Sequence, residues 1–597
     1  MKRFVGLMLA VIMLTATLPC FAPDTAYALG NKDFNGLKVA YIPIDNRPVN
    51  YDRVQMLAKS VGFELLMPEE DTFRTALDNM KPNNNGSTYG DREKLLEWLK
   101  ETDKTCDYFV LSLDQLLSGG LVASRWLDNT DLSFEFEVAD YIIQLAKTNT
   151  VVLFDTVMRL ASTVNYQGYQ MNEYNNLRSY GSVARKTLKG NELKTENIIA
   201  GYKYGVNGNK ISTPLSDKAV DKYLASRTRK LKLIDYILSK SLDDLEYCYV
   251  GVDDSSTTTN IQTNEINLIS QKLGSNGMIY AGTDELGLMG ITRIVTKLYG
   301  SADIGVTYFG GRENEIADGF DFATLKYEVE NHIKSLNCTV KSGGDGDLQV
   351  LVITQGAGKK DAANLVDKAF EYVDKRIPVI IIDPNTGTGD VLQKELLNRD
   401  FPLSMLLGYS CWNTAANAMG IALSNGISRY SYLKNSSNVT EESHIGFLQA
   451  STFGFLKDIS YKHFGFSIDR PNADGFAGYK YILGKINSSR FITSLAPYRT
   501  SEHGKISADN YRYPWDRTFE MTFTVSVEKT PTVIYGDVNG DGRILVNDYL
   551  MSKRIEAGTK TADKNMLERA DINGDGKIDK NDYEQIKKHV LEDFIIK

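Results

Sequence analysis

The stretch KVAYIPIDNRPVN, Lys38 to Asn50, decides how most of this chain is read. Its first seven residues are almost continuously apolar, and the run ends on the charged pair Asp45 and Arg47. A strand with one wet face alternates apolar and polar residues, whereas a continuously apolar strand is buried on both faces, as in a parallel sheet covered by helices. The same texture returns in DYFVLSL (107–113), TVVLFD (150–155), EYCYVGV (246–252), GMIYAG (277–282), DIGVTYF (303–309), LQVLVIT (348–354), PVIIID (378–383) and SMLLGYS (404–410), with a short piece at Glu64–Met67. Helical periodicity fills the intervals at Asn50–Val61, Arg92–Lys100, Phe134–Lys147, Asp217–Ser239, Asn264–Leu273, Asp321–Leu336 and Asp361–Lys375. The class is therefore α/β, built from parallel-sheet βα repeats.

These runs outnumber the eight strands of a (β/α)8 barrel and are unevenly spaced. Two consecutive doubly wound units, 36–300 and 301–425, are favoured, with a barrel as the alternative. From 426 to 528 aromatic residues become dense and Phe519–Val527 alternates, which reads as a smaller α+β cap ending in a strand. A short linker, 529–534, leads into the tail, 535–597.

That tail holds one pattern twice: DVNGDGRILVND, Asp537 to Asp548, and DINGDGKIDKND, Asp571 to Asp582. Side-chain oxygens at loop positions one, three and five, a backbone carbonyl at seven and a carboxylate at twelve surround a hard cation, and glycine at six permits the sharp turn. The first Ca2+ site would use Asp537, Asn539, Asp541, the carbonyl of Arg543 and Asp548. The second would use Asp571, Asn573, Asp575, the carbonyl of Lys577, Asp579 at the ninth position and Asp582. Leu545 stands at the ninth position of the first loop and cannot orient a bound water, so the first site is expected to be the weaker. Such turns also occur as solvated loops without metal, but two copies in one register, each leading into a helix, disfavour that reading.

The totals set further bounds. A chain of 597 residues exceeds one core, and a net charge of -8 with no Lys/Arg-rich block leaves no footprint for nucleic acid. Lys2 and Arg3, the apolar run Phe4–Leu18 and the small-x-small motif at Ala26–Ala28 read as a signal peptide, 1–28. No later segment is apolar for long enough to span a bilayer, so the expected product is secreted and extracellular. Cys106, Cys248, Cys338 and Cys411 are widely spaced and read as buried free thiols.

Ordinary paired EF-hands place a helix on each side of the loop and Glu at position twelve; here Pro531 and Gly536 precede the first loop and both twelfth residues are Asp. Loop followed by a single helix, duplicated within residues 535–597, resembles a type I dockerin, the module that plugs a protein into a cohesin on a scaffold. In that family, loop positions ten and eleven and the following helix face the cohesin. The resemblance therefore implies Val546, Asn547, Lys553, Arg554, Lys580, Asn581, Lys587 and Lys588 as cohesin-binding residues. YIPIDNRPVN (41–50), VGVDDSS (250–256), AGTDELG (281–287), YSCWNTAANAMG (409–420) and YPWDRTFE (513–520) also resemble the bacterial family catalogued as domain of unknown function 4127. That resemblance implies no chemistry.

Ligands of either α/β architecture bind where the parallel strands end, which singles out the polar residues after each run. Glycoside hydrolysis needs two carboxyl groups, one protonated to donate to the leaving oxygen and one ionised. Asp253 and Asp254, with Asp284 and Glu285, follow consecutive runs and are the catalytic candidates. Asp45, Arg47, Asp114, Trp412 and Asn413 are the substrate-binding candidates, supplying hydrogen bonds and an aromatic face for a sugar. Each carboxylate has a competing role as a helix cap. There is no HExxH pair, no GxSxG elbow and no complete phosphate loop. No cofactor is expected in the main body. Cargo on cohesin scaffolds is mostly carbohydrate-active, so the expected function is a scaffold-docked glycoside hydrolase acting on a polysaccharide or glycan. The alternatives are a non-catalytic carbohydrate-binding or structural cargo and, less favoured, an esterase or peptidase.

Overall fold

The computed structural model describes residues 30–255, 258–341, 344, 346–384, 389–465, 475–495, 498–528, 534–541, 543–591 and 596. The expected signal peptide, 1–28, and most of the expected linker lie outside the described residues.

Each apolar run forms a strand: β1 (Lys38–Ile42), β2 (Glu64–Leu66), β3 (Tyr108–Ser112), β4 (Thr150–Val157), β5 (Tyr247–Val252), β6 (Gly277–Ala281), β7 (Asp303–Phe309), β9 (Leu348–Ile353), β10 (Val379–Ile382) and β11 (Leu406–Ser410), with β8 (Thr339–Lys341) added at one edge. The principal helices are α1 (Asp52–Ser60), α2 (Arg92–Thr102), α3 (Ser133–Thr148), α4 (Asp217–Ser241), α5 (Thr263–Leu273), α6 (Leu286–Tyr299), α7 (Leu325–Ser335), α8 (Lys359–Asp374), α9 (Ala415–Asn435) and α10 (Glu441–Gly454). The first sheet has the order β2-β1-β3-β4-β5-β6 and the second β11-β10-β9-β7-β8; the named pairs within each are parallel. Both sheets are open, so the barrel alternative does not apply. Counted from its own first strand, the second sheet has the order 2-1-3-4-5, the same winding as the first five strands of sheet one. The protein is thus two doubly wound α/β sheets in succession.

Residues alternate between the two faces of sheet one as the pleat requires. Ala40, Phe109, Leu111, Val151, Leu153 and Val250 point to one core with α2 to α5, while Val39, Tyr41, Val110, Val152 and Tyr249 point to another with α1 and α6. The second core continues without a break into sheet two through α6 and α9. Close approach there depends on absent side chains. A Cβ at Gly290 of α6 would lie 2.5 Å from Val110 Cγ1, and one at Gly426 of α9 would lie 2.3 Å from Ile380 Cδ1. The boundary expected after residue 425 falls inside α9, which packs on sheet two as one continuous helix.

The cap is more helical than expected: α9 and α10 run into a π-helical turn at Phe455–Phe464 before two antiparallel pairs form, β12 (Phe491–Leu495) with β13 (Tyr498–Ser501) and β14 (Ile506–Arg512) with β15 (Thr522–Val527). The tail folds into α11 (Val546–Glu556), α12 (Lys564–Ala570) and α13 (Lys580–Val590) around a small core of Val538, Ala570, Ile572, Ile586 and Ile596. All four described cysteines are buried and free. No described helix is long and apolar enough to cross a membrane.

Candidate active site and calcium loops

A cleft of about 400 Å³ opens at the C-terminal edge of sheet one. Arg47 follows β1, Arg125 follows β3, Arg159 and Thr163 follow β4, Asp253 and Asp254 follow β5, and Thr283 and Asp284 follow β6. The second sheet supplies Asn413, Thr414 and Asn417 from the start of α9, with Phe320 and Asp321 from the loop after β7. The cap closes the remaining side with Trp515, Arg517, Phe519 and Glu520. Strand order places this cleft beside the switch between β1 and β3, where loops diverge and leave a crevice.

Three cleft residues hold backbone conformations that L side chains rarely adopt: Asp254 at φ 39°, Asn413 at φ 116° and Trp515 at φ 60°. Such conformations cost on the order of 1–3 kcal/mol each and persist where the surroundings hold them, commonly at ligand sites. Trp515 is held firmly: its Nε1–H donates to Asn46 Oδ1 at 3.1 Å and the Arg47 guanidinium lies 4.7 Å from its ring centre.

The charges are arranged in fixed pairs. Arg47 forks across Asp284, Nη1 to Oδ2 at 2.9 Å and Nη2 to Oδ1 at 2.5 Å, while its Nε donates to Asp45 Oδ2 at 2.9 Å. Glu520 Oε1 lies 3.6 Å from the same guanidinium. Arg125 pairs with Asp253 at 2.6 Å, and Arg159 pairs with Asp254. The planar fork of Arg47 fixes the Asp284 carboxyl group in position, which lysine cannot do as well. Asp321 is the exception. It is 2% exposed, and burial with Asp318 nearby pushes its carboxyl up to about 8, so it retains its proton at neutral pH.

The structure sorts the residues singled out from sequence. Asp253, Asp254, Asp284, Arg47 and Asn413 meet in the cleft. Asp45 lies behind it, fully buried, accepting from Arg47 and from Asn50 Nδ2 at 2.9 Å. Glu285 turns away from the cleft lining. It is fully buried against Gly282 and Gly420, both its oxygens lack hydrogen-bond partners, and burial holds its carboxyl well above the usual range. Asp114 sits in another buried cluster, bonded to Lys230 and to Thr156 Oγ1 at 2.7 Å. Trp412 is 1% exposed with Lys457 over its ring, so its face is not free for a sugar; Trp515 provides the cleft's indole instead. Arg125, Asp321, Arg517, Trp515 and Glu520 escaped the sequence reading because none stands immediately after an apolar run. Trp515, Arg517 and Glu520 do lie within the YPWDRTFE stretch that carried the family resemblance.

In the tail, both loops are already turned. Asp537 Oδ1 accepts from the amides of Gly540 and Asp541 at 2.9 and 3.0 Å, and Asp571 accepts from those of Asp575 and Gly576 at 2.9 and 2.8 Å. The twelfth residues reach back: Asp548 to the amide of Asn539 at 3.0 Å, and Asp582 to that of Ile572 at 2.9 Å. With the carboxylates satisfied by their own backbone, no three His, Cys, Asp or Glu side chains converge to hold a metal among the described residues. The donor set nevertheless fits a hard divalent ion. Burial and the neighbouring Asp571 charge push Asp582 up to about 6, a crowding of negative charge that a bound cation relieves. All eight residues implied in cohesin binding are exposed. The main body meets the tail elsewhere, through Ser501 Oγ and Tyr535 OH at 2.7 Å and Arg490 with Glu568 at 3.8 Å.

Compared with known families, residues 39–524 match the model described as Protein of unknown function (DUF4127), and residues 535–591 match the Dockerin type I domain. No curated protein matches the chain.

Proposed function

Because this chain belongs to the DUF4127 family and ends in a type I dockerin domain, a calcium-binding module that docks into cohesin, we propose that its body is a secreted glycoside hydrolase carried on a cohesin-bearing scaffold. The observation that carries this reading is the contrast inside one cleft. Asp321 keeps its proton, while Asp253, Asp254 and Asp284 are each fixed to an arginine. Glycoside hydrolysis needs one carboxyl group that keeps its proton and a second that acts as nucleophile or base; Asp321 supports the first role and an arginine-held aspartate the second. Asp321 would protonate the leaving glycosidic oxygen, one of the arginine-bound carboxylates would act as nucleophile or activate water, and Trp515 would offer an apolar wall to the sugar ring.

Both loops of the dockerin would hold Ca2+, the first through Asp537, Asn539, Asp541, the Arg543 carbonyl and Asp548, and the second through Asp571, Asn573, Asp575, the Lys577 carbonyl, Asp579 and Asp582. The ions would organise a domain whose own core is small. The competing reading, a carbohydrate-binding cargo without turnover, draws on the same arginine pairs as a rigid recognition surface. Release of reducing ends from a panel of polysaccharides separates the two. The hydrolase reading requires release by the full chain and its loss in D321N together with D254N or D284N; binding with no release favours the second.

A further inference from the structure

The cleft holds four guanidinium groups, and three of them are committed: Arg47 to Asp45 and Asp284, Arg125 to Asp253, and Arg159 to Asp254. Arg517 is different. Among the described residues its side chain makes no hydrogen bond or ion pair; its guanidinium lies 5.4 Å from the Trp515 ring centre and 5.8 Å from that of Phe519. Asp516 precedes it in the chain; Glu520, its strongest charged neighbour, makes no hydrogen bond or ion pair with it, lies 3.6 Å from Arg47 and leaves one carboxylate oxygen without a hydrogen bond. Ring faces orient a guanidinium and leave its fork of donors open. Across the cleft stands the start of α9, a helix of 21 residues whose Thr414 and Asn417 line the same space. Thr414 caps that start, its Oγ1 accepting from the Asn417 amide at 3.5 Å, and the helix dipole adds positive potential there.

We infer, resting on the glycan-cleaving reading above, that the glycan bound here is acidic, with a carboxylate or sulfate on the sugar received by the open fork of Arg517. The neutral Asp321 agrees with this, because a protonated carboxyl does not repel an anionic neighbour as an ionised one would. Trp515 would then face the apolar side of the ring whose acidic substituent Arg517 holds.

The test is binding of the full calcium-loaded chain, by titration calorimetry, to an oligouronate, its methyl-esterified counterpart, a sulfated oligosaccharide and a neutral oligosaccharide, repeated with R517Q and R517K. A charge-assisted contact of this kind corresponds to roughly tenfold or more in affinity. The inference predicts that an acidic ligand binds at least about tenfold more tightly than its neutral form. R517Q erases that preference, R517K keeps part of it, and added salt weakens it. Which acidic ligand shows the preference identifies carboxylate or sulfate. Equal binding of acidic and neutral forms, no binding of either acidic ligand, or a preference unchanged in R517Q overturns it. Cleavage of a neutral glycan alone would leave the hydrolase reading standing without this inference; tight acid-dependent binding with no cleavage would do the reverse.

Discussion

Replacing Asp321 by Asn should slow turnover sharply and yet stabilise the protein. The carboxyl is 2% exposed and titrates near 8, against an ordinary value of 3.8. Between those two values the unfolded chain has released a proton that the folded chain keeps. The folded state therefore binds more protons, and stability contributed at this position falls as pH rises from about 4 to about 8. At pH 7 the gap from 3.8 corresponds to roughly 4 kcal/mol at about 1.36 kcal/mol per pH unit, an upper bound that relaxation and water entry reduce. Asparagine has the same shape and no proton to lose. D321N should match the wild type in denaturant melts near pH 4 and exceed it by at least about 1 kcal/mol at pH 7. Its hydrolysis rate should fall by about 10²- to 10⁴-fold, the usual contribution of a positioned acid. In the wild type the rate should decline on the alkaline side as Asp321 ionises near 8. Loss of stability at pH 7, or a D321N protein with an unchanged rate and pH profile, would mean that Asp321 is neither a buried neutral acid nor the proton donor.

Other perturbations probe the frame around the site. Gly420→Ala places a methyl 2.3 Å from Glu285 Cβ and should cost about 1–3 kcal/mol in a thermal or denaturant melt. Arg47→Met leaves Asp45, Asp284 and Glu520 without their shared cation; a loss on the order of 3–5 kcal/mol is expected, together with a cleft that no longer turns over substrate. Chelation of calcium should abolish capture by a cohesin and expose the tail to protease while leaving the catalytic rate of the body unchanged. Leu545→Asp restores an oxygen at the ninth position of the first loop and should tighten the weaker of two calcium isotherms measured by calorimetry.

The strands were legible because apolar runs such as VVLF at 151–154 are buried on both faces of a parallel sheet, a demand written into consecutive residues. The two loops of the dockerin were legible for a similar reason, since each pattern occupies twelve adjacent positions. The boundary after 425 was not, because α9 runs through it and is buried along nearly its whole length, so no exposed polar face marks an end there. Within the cleft, Asp284 stands directly after β6 and was found by position alone. Asp321 and Arg517 come from loops whose approach depends on packing between the two sheets and the cap, which no local pattern encodes. Trp412 and Trp515 show the same limit: both follow polar turns, and only the fold decides which ring is buried under Lys457 and which lines the cleft.

Whether water cleaves a glycosidic bond in this cleft is decided by running the reaction in heavy-oxygen water and weighing the products. Hydrolysis predicts one heavy oxygen per bond cleaved, carried by the new reducing end while the other new end keeps the bridging oxygen, and D321N forms that product about 10²- to 10⁴-fold more slowly. Fragments lighter by a water molecule, with an unsaturated end and no heavy oxygen, or intact chains after prolonged incubation, would contradict it.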